Sequence, residues 1–582
     1  MSCHPKNGPV PFRFVIRISS LIRHSGFVIL SWTASEGRPT AEERTIMPVR
    51  PFLLGLVAFV LPITLATADD AKKQPAEVKA DVVLVGGTVY DGSGKPGFAA
   101  DVAIRGGRIV AIGRFKTAGG ALRLDCKGMV VAPGFIDLHN HSDNQMVNRA
   151  TRNNTNYLMQ GCTTVVTGNC GSGPVNMADY AKKMQAAGIG TNVAHLLPQG
   201  SLRRSVIGTA NRKPTPDELK KMKELAAQAM RDGAWGMSTG LIYVPSSYAT
   251  TDELVELAKV VAAHGGIYAS HIRNENIALL AAVAEAIKIG KEAGCPVHIS
   301  HFKSSGRESW GLVRRAAEFV EAARKAGQTV TADQYPYIAS STSLDATIIP
   351  AWARAGGRKE MFQRIDDPKT GRSLREKIKD TLKKRDDGRA IRIAAYRQRP
   401  DWAGKSLADI AKAENKPVFD VAMQISRSGG AGIVNFSMSE DDVRHIMRIG
   451  WVATASDGSA KLPNATKPHP RNYGTFARKI GYYAIREKVL PLAQAIRSSS
   501  GLPADILGLK DRGYVKTGLY ADVVVFDPRR FIDKATFSDP HQYCAGLRHV
   551  FVNGRAAVYD GIPTGERAGK VLKHASKATA GR

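Results

Sequence analysis

From Gly134 onward, short apolar runs alternate with amphipathic helical stretches, a pattern that confines the chain to a parallel α/β fold. Eight runs read as strands, at residues 134–141, 163–170, 192–196, 234–238, 266–271, 297–301, 330–333 and 452–457. Helical stretches at 215–231, 251–264, 276–293 and 310–326 lie between them. The first opens on Thr215-Pro216-Asp217-Glu218, a capping hydroxyl followed by a first-turn proline and carboxylates. Eight strands with their helices predict a (β/α)8 barrel of the TIM type. The interval 345–450, between the seventh and eighth strands, is too long for one connecting helix and predicts an inserted lid.

Short strands flank the barrel, at 81–85, 101–104 and 109–112 before it and at 521–526 and 549–552 after it. They predict a small β-sandwich built from both ends of the mature chain, with 69–133 and 501–582 contributing and the barrel occupying 134–500. A chain of 582 residues with 43% hydrophobic content can bury cores of that number and size. Its 82 Lys+Arg against 52 Asp+Glu give a formal charge of +30, but the basic residues are scattered. With no Lys/Arg tract and no nucleic-acid-binding motif, a nucleic-acid partner is not expected.

Arg50 precedes an apolar run at 52–65, and Ala66-Thr67-Ala68 supplies small residues for cleavage, so residues 47–68 read as a signal peptide cut near Ala68. The run is shorter than the roughly 20 residues that span a bilayer, so no membrane anchor is expected. A secreted or periplasmic location is expected. Residues 1–46 carry no comparable pattern and read as a non-native upstream extension, with Met47 the start.

Export exposes thiols to oxidation. Cys3 leaves with the leader, and the remaining Cys126, Cys162, Cys170, Cys295 and Cys544 are odd in number, without the spacing of a disulfide framework. Cys162 and Cys170 stand at opposite ends of one predicted strand and cannot bond to each other. At least one thiol needs another explanation.

The C-terminal strand ends of a parallel barrel form its working face. His139 and His141 end the first predicted strand and, by strand alternation, share a face. Cys170 ends the second, His271 the fifth, His301 the sixth and Asp457 the eighth. Singly, each has an ordinary reading: a strand histidine is usually a hydrogen-bonded core residue, and a buried cysteine a small apolar filler. Their joint placement points instead to a metal, and imidazole with thiolate suits zinc over calcium or magnesium. Coordination would also hold Cys170 as thiolate and shield it from oxidation. His264, at a helix end, and His298, mid-strand, fit structural roles, and His195 stays open.

These residues lie in longer motifs at 132–143, 270–275, 298–303, 455–458 and 469–471, with Gly168-Asn169-Cys170-Gly171 and Tyr335-Pro336-Tyr337. In these the chain resembles the D-aminoacylase (N-acyl-D-amino-acid deacylase) branch of the amidohydrolase superfamily, over residues 80–571. The resemblance implies a tight zinc on Cys170, His271 and His301, a second, weaker metal position framed by His139 and His141, and Asp457 as general base. It further implies that Lys303, Tyr335 and Arg471, with Ser341 as a further candidate, hold the α-carboxylate of a small N-acyl-D-amino acid. Lys303 follows His301 by two residues, so alternation is expected to bring its ammonium beside the metal. The segment 341–350 lacks the arginine found there in D-glutamate-specific relatives, so neutral or hydrophobic side chains are expected. Two other readings stay open: a dipeptidase or cyclic amidase on the same scaffold, and a secreted binding protein without catalysis.

Overall fold

The computed structural model describes residues 77–576. The upstream segment 1–46 and the leader 47–68 lie outside the described residues. Among the described residues, no helix is long and apolar enough to cross a membrane.

The eight barrel strands are Phe135–Asp137, Cys162–Thr167, Asn192–His195, Gly236–Gly240, Ile267–His271, Val297–Ile299, Val330–Gln334 and Val452–Thr454. All their pairings are parallel. Leu197–Pro198 carries the third strand onto the fourth, and a parallel bridge between Asn140 and Gly458 joins the eighth to the first. Every residue in these strands is buried, as a parallel sheet covered on both faces requires. The helices Pro216–Arg231, Thr251–Ala263, Leu279–Ala293 and Leu312–Lys325 form part of that cover. Each turns one apolar stripe inward, such as Met222, Ala226 and Met230 on the first and Val283, Ala286 and Ile289 on the third. Thr215 and Glu218 form the reciprocal capping box read from the sequence.

The regular strands stop short of the predicted ends. The first ends at Asp137, the second at Thr167, the sixth at Ile299 and the eighth at Thr454. Hence His139, His141, Cys170, His301, Lys303 and Asp457 stand on the loops that follow; of the predicted metal ligands, His271 alone lies within its strand. The cause is local: Cys170, His301 and Asp457 have φ of +50°, +36° and +52°, a left-handed backbone that leaves a strand ladder.

The insertion starts earlier than the helix-length argument placed it. Ala339–Ser343 pairs antiparallel with Gly432–Phe436, which pairs with Ile391–Ala395. Helices Arg358–Asp366, Gly371–Lys383 and Val418–Arg427 pack on this small sheet, around a core that includes Leu374, Ile378, Trp402, Ile425 and Ile433. The helix Glu440–Ile446 already belongs to the barrel wall, where Asp442 accepts a hydrogen bond from Arg314 Nε at 3.1 Å.

Nine further strands form one hydrogen-bonded sheet drawn from both ends of the described chain. Its N- and C-terminal parts meet where Val130–Pro133 pairs antiparallel with Val523–Phe526. The strand Val82–Val89 changes partners along its length, pairing first with Leu122–Asp125 and then with Val130 and Val131. The switch falls at Gly86 and Gly87, where a Cβ on Gly87 would approach Val131 Cγ2 to 2.6 Å. The folded sheet encloses Leu84, Val102, Ile104, Val131, Val523 and Phe551. Asp522 ties it to the barrel, accepting from Arg512 Nη1, from Asn192 Nδ2 at 3.0 Å and from the Asn553 amide at 2.6 Å.

One core lysine makes the fold sensitive to pH. Lys479, in the helical stretch Arg478–Arg486, is 1% exposed and donates one long hydrogen bond, 3.3 Å, to the Met447 carbonyl. Burial pulls its pKa from 10.5 down to about 7. Folding therefore releases a proton between pH 7 and the unfolded value, and stability is lost as pH falls from the unfolded value toward the folded one, below which the loss is complete. Lys479→Met is expected to raise the unfolding free energy by a few kcal/mol at pH 6.5, at about 1.4 kcal/mol per pKa unit. That advantage should shrink steadily toward pH 10 in urea titrations, and a gain that does not vary with pH would contradict it.

Candidate metal centre and active site

The loop carrying Cys170 is built by its neighbours. Gly168 has φ +77°, and any Cβ there would collide with the Leu196 carbonyl. Asn169 Nδ2 donates to the Leu138 and Val166 carbonyls at 3.1 and 2.9 Å. Asp143 Oδ1 accepts from the Gly168 amide at 2.8 Å, and the Gly171 amide donates to Ser238 Oγ at 3.0 Å. Gly-Asn-Cys-Gly is thus a turn whose every member is needed to aim one thiol into the barrel mouth.

The other donors converge on it. Cys170 Sγ lies 3.5 Å from His271 Nδ1 and 3.7 Å from His301 Nε2. Donor atoms sharing a tetrahedral zinc, with Zn–S about 2.3 Å and Zn–N about 2.05 Å, stand about 3.6 Å apart, so each imidazole stands at the separation from the thiol that donors to one zinc have. His139 Nε2 is 3.2 Å from the same sulfur and 3.5 Å from Asp457 Oδ1, and His141 Nε2 is 3.0 Å from Asp457 Oδ1. His139, Cys170, His301 and Asp457 offer ligand atoms all within 4.8 Å of one another. The structure therefore brings all five predicted metal ligands and the predicted base to one place.

Their charges are set by each other. Burial pushes the Cys170 thiol up, but the His139 and His271 imidazoles outweigh it and hold the thiol well below its usual range. Burial likewise raises Asp457, and Arg471 and His139 more than reverse it, keeping the carboxyl ionised. Arg471 Nη1 donates to Asp457 Oδ2 at 2.7 Å and Nη2 to the Ser341 carbonyl at 3.3 Å. Of the residues expected to hold a carboxylate, Arg471 is already engaged on the base and keeps its remaining N–H groups for a ligand. Lys303 Nζ donates to Glu275 Oε1 and to the His301 carbonyl at 2.9 Å, and lies 2.8 Å from His301 Nδ1. It stands beside the donors as expected, though a loop and not strand alternation brings it there. Tyr335 OH is buried with no hydrogen-bond partner. Ser341 donates its hydroxyl to the Ile433 carbonyl at 2.8 Å, within the insertion sheet, and offers the site its own carbonyl.

Two carboxylates that the sequence reading passed over orient the ligands. Asp333 is the penultimate residue of the seventh strand; its Oδ1 accepts from the His301 amide at 2.7 Å, and its Oδ2 lies 3.0 Å from His298 Nε2 and 3.4 Å from His139 Nδ1. Glu275 Oε1 lies 2.8 Å from His301 Nδ1. With Nδ1–H directed at Glu275, His301 turns its Nε2 lone pair toward Cys170. Asp333 carried the same strand-end signal as the ligands, and Glu275 closes the motif at 270–275. His298 serves structure through Asp333, and His195 is held by Thr167 Oγ1 and the Pro174 carbonyl at 2.8 and 2.9 Å, away from the donors.

Two cavities meet at this cluster and share Tyr243, Ser341 and Asp457. One, of about 460 Å³, runs past His141, Cys170, Ser172 and Arg204. The other, of about 240 Å³, lies between the barrel and the insertion and is walled by His271, His301, Lys303 and Tyr335.

A model of the amidohydrolase family, Amidohydro_3, matches residues 124–558. The chain belongs to that family. It is 38% identical over 515 residues to the D-aminoacylase of Alcaligenes xylosoxydans xylosoxydans, spanning 84% of this chain and 97% of that protein. A solved D-aminoacylase structure superposes with a TM-score of 0.73 at 35% identity, over 85% of this chain and all of the other. The N-acyl-D-glutamate deacylase of Bordetella bronchiseptica, solved with zinc and a phosphonate mimic of the tetrahedral intermediate, gives a TM-score of 0.72 at 33% identity, with the same coverage. The resemblance to the D-aminoacylase branch, and with it the barrel-plus-sandwich fold, is borne out.

Removing Asp333 frees a ligand ring that is otherwise fixed. Asp333→Ala is expected to weaken metal retention about 10- to 100-fold, the usual loss when a ligand histidine loses its carboxylate partner. Elemental analysis after dialysis against graded chelator reads this out, and retention equal to the parent would show that Asp333 does not orient the site.

Proposed function

We propose that this protein is an exported, zinc-dependent hydrolase that cleaves the amide bond of N-acyl-D-amino acids, releasing a carboxylic acid and a free D-amino acid. The observation that carries this reading is that the Cys170 thiol lies 3.5 and 3.7 Å from the His271 and His301 imidazoles where two cavities meet. Those cavities suit an acyl group on one side of the scissile bond and an amino acid on the other. The relatives add support, since D-aminoacylase and a zinc-bound N-acyl-D-glutamate deacylase share the fold over nearly all of their length. Export accords with the five cysteines among the described residues, which are all free and all buried, so that none of these presents a thiol to an oxidising exterior.

Cys170, His271 and His301 would hold the tight zinc, and His139 and His141, facing Asp457, would frame the weaker position. When bound, zinc supplies Lewis acidity toward the acyl carbonyl and lowers the pKa of a water toward neutrality. Asp457, ionised and between His141 and Arg471, accepts the proton of the attacking water and passes it to the departing amine. Lys303, Tyr335 and Arg471 form the wall that receives the α-carboxylate, each within reach of the next: Lys303 Nζ lies 5.6 Å and Arg471 Cζ 4.9 Å from the centre of the Tyr335 ring. With the carboxylate pinned there, only one enantiomer brings its acyl carbonyl to the metal, which is the origin of the D preference. The segment 341–350 adds no cation to this wall, which by itself favours neutral or hydrophobic side chains; the insertion bears on that point below.

The test is hydrolysis of N-acetyl-D- against N-acetyl-L-amino acids by the zinc-loaded protein, with turnover confined to the D series expected. Asp457→Asn should retain zinc and lose nearly all turnover, on the order of 10³-fold or more for a lost acid–base group. Equal turnover of both enantiomers would refute the substrate assignment, and an active Asp457→Asn would remove this residue from the mechanism.

A further inference from the structure

The cavity between barrel and insertion carries one more positive charge than the proposed reaction uses. Lys303 is matched there by Glu275, and Arg273 by Glu285, whose carboxylate accepts from Nε at 2.9 Å. Arg471 is matched by Asp457 at 2.7 Å. Arg385, which also lines this cavity, has no such partner among the described residues, and its Nε is buried without a hydrogen bond. It stands in the turn that follows the insertion helix Gly371–Lys383. The one carboxylate whose charge reaches it, Glu308, accepts instead from Asn276 Nδ2 at 2.6 Å.

A second unsatisfied group lines the same cavity. Asn435, on the insertion strand Gly432–Phe436, is 4% exposed, and its Oδ1 has no hydrogen-bond partner. Four residues lining this one cavity thus carry a buried polar atom without a partner: His271 Nε2, Tyr335 OH, Arg385 Nε and Asn435 Oδ1. The first two belong to the proposed metal and α-carboxylate sites. The other two come from the insertion and have no role in the reaction as described. A guanidinium with a buried, unpaired Nε and an amide with a buried, unpaired Oδ1 on the wall of one cavity are costly unless a bound group compensates them, and for the cation that group is an anion. An amide turned about its last bond offers Nδ2 in place of Oδ1, so Asn435 can donate to the same anion.

We infer that Arg385 and Asn435 form the side-chain subsite of the proposed deacylase and select an acidic D-amino acid, Arg385 taking its distal carboxylate through the guanidinium fork and Asn435 through its amide. This rests on the deacylase reading and replaces the expectation of neutral side chains, which considered only residues 341–350. The positions of that segment that line the cavity include Ala346 and Thr347, small enough to leave room for a side chain reaching toward Arg385. Lys303, Tyr335 and Arg471 keep the α-carboxylate, so the two acidic groups of the substrate meet different cations.

The experiment compares kcat/KM for N-acetyl-D-glutamate, N-acetyl-D-aspartate, N-acetyl-D-leucine and N-acetyl-D-alanine on the zinc-loaded parent, Arg385→Met and Asn435→Ala. The parent should prefer an acidic substrate over leucine. Arg385→Met should lose about 10- to 100-fold on that acidic substrate, the worth of a charged hydrogen bond, while N-acetyl-D-alanine stays within about threefold. Asn435→Ala should show a smaller loss on the same substrate, and carries the test should Arg385→Met not fold. A parent that prefers leucine, or variants in which all four substrates fall together, would overturn the subsite; the latter would assign Arg385 to the α-carboxylate. A parent that hydrolyses none of the four would defeat the deacylase reading itself, a separable outcome.

Discussion

The constraint on which this structure depends is that one thiol and two imidazoles, from the ends of the second, fifth and sixth barrel strands, must meet at one barrel mouth, the thiol 3.5 and 3.7 Å from the rings. A closed parallel barrel makes this possible because all its strand ends open on one face. It does not suffice, since a regular strand would point its last side chain along the wall. The backbone turns left-handed at Cys170, His301 and Asp457, a conformation that non-glycine residues adopt at a cost of order 1–3 kcal/mol each. Hydrogen bonds hold these turns: the Asp457 amide donates to the His139 carbonyl at 2.8 Å, and the His301 amide to Asp333 at 2.7 Å. The site's geometry is thus maintained by the loops' own polar contacts and the packed barrel beneath them.

Around the donors, charge is matched almost group by group. Asp457 faces Arg471, Glu275 faces Lys303, and Asp333 lies between His298 and His139. In a buried mouth such pairing keeps each group in the state its role needs, the carboxylates ionised and the histidine lone pairs directed. It also makes an exception informative, because a cation left over in so closely matched a site marks where an anion has yet to arrive. The insertion supplies that cation, so the module most free to vary in length and sequence is the one that reaches the substrate side chain.

Much of this was legible in the sequence for physical reasons. Buried parallel strands read as apolar runs, and helices with one inward stripe announce their period, so the barrel order and the ligand-bearing strand ends could be counted directly. Thr215 and Glu218 fixed a helix start to the residue. The left-handed turns were not legible, because the enrichment of His and Asp at φ > 0 is too slight to mark single positions, Cys has none, and the apolar runs continue visually through them. Ala339–Ser343 was missed because Ser and Thr at an insertion edge lack the apolar character of a barrel strand. Asp333 and Glu275 were passed over because a carboxylate that orients a histidine is separated from it by anything from tens to nearly two hundred residues. Arg385 sits among Lys383, Lys384 and Asp386, where composition reads as solvated surface, and only the packing of the insertion against the barrel turns it inward.

The central claim is the sulfur ligand, and zinc K-edge X-ray absorption on the exported, zinc-loaded protein tests it most directly. The account predicts one sulfur at about 2.3 Å with nitrogen and oxygen at about 2.0–2.1 Å, the sulfur contribution vanishing in Cys170→Ser. A parent spectrum fitted by nitrogen and oxygen alone would place the metal away from Cys170 and contradict the account.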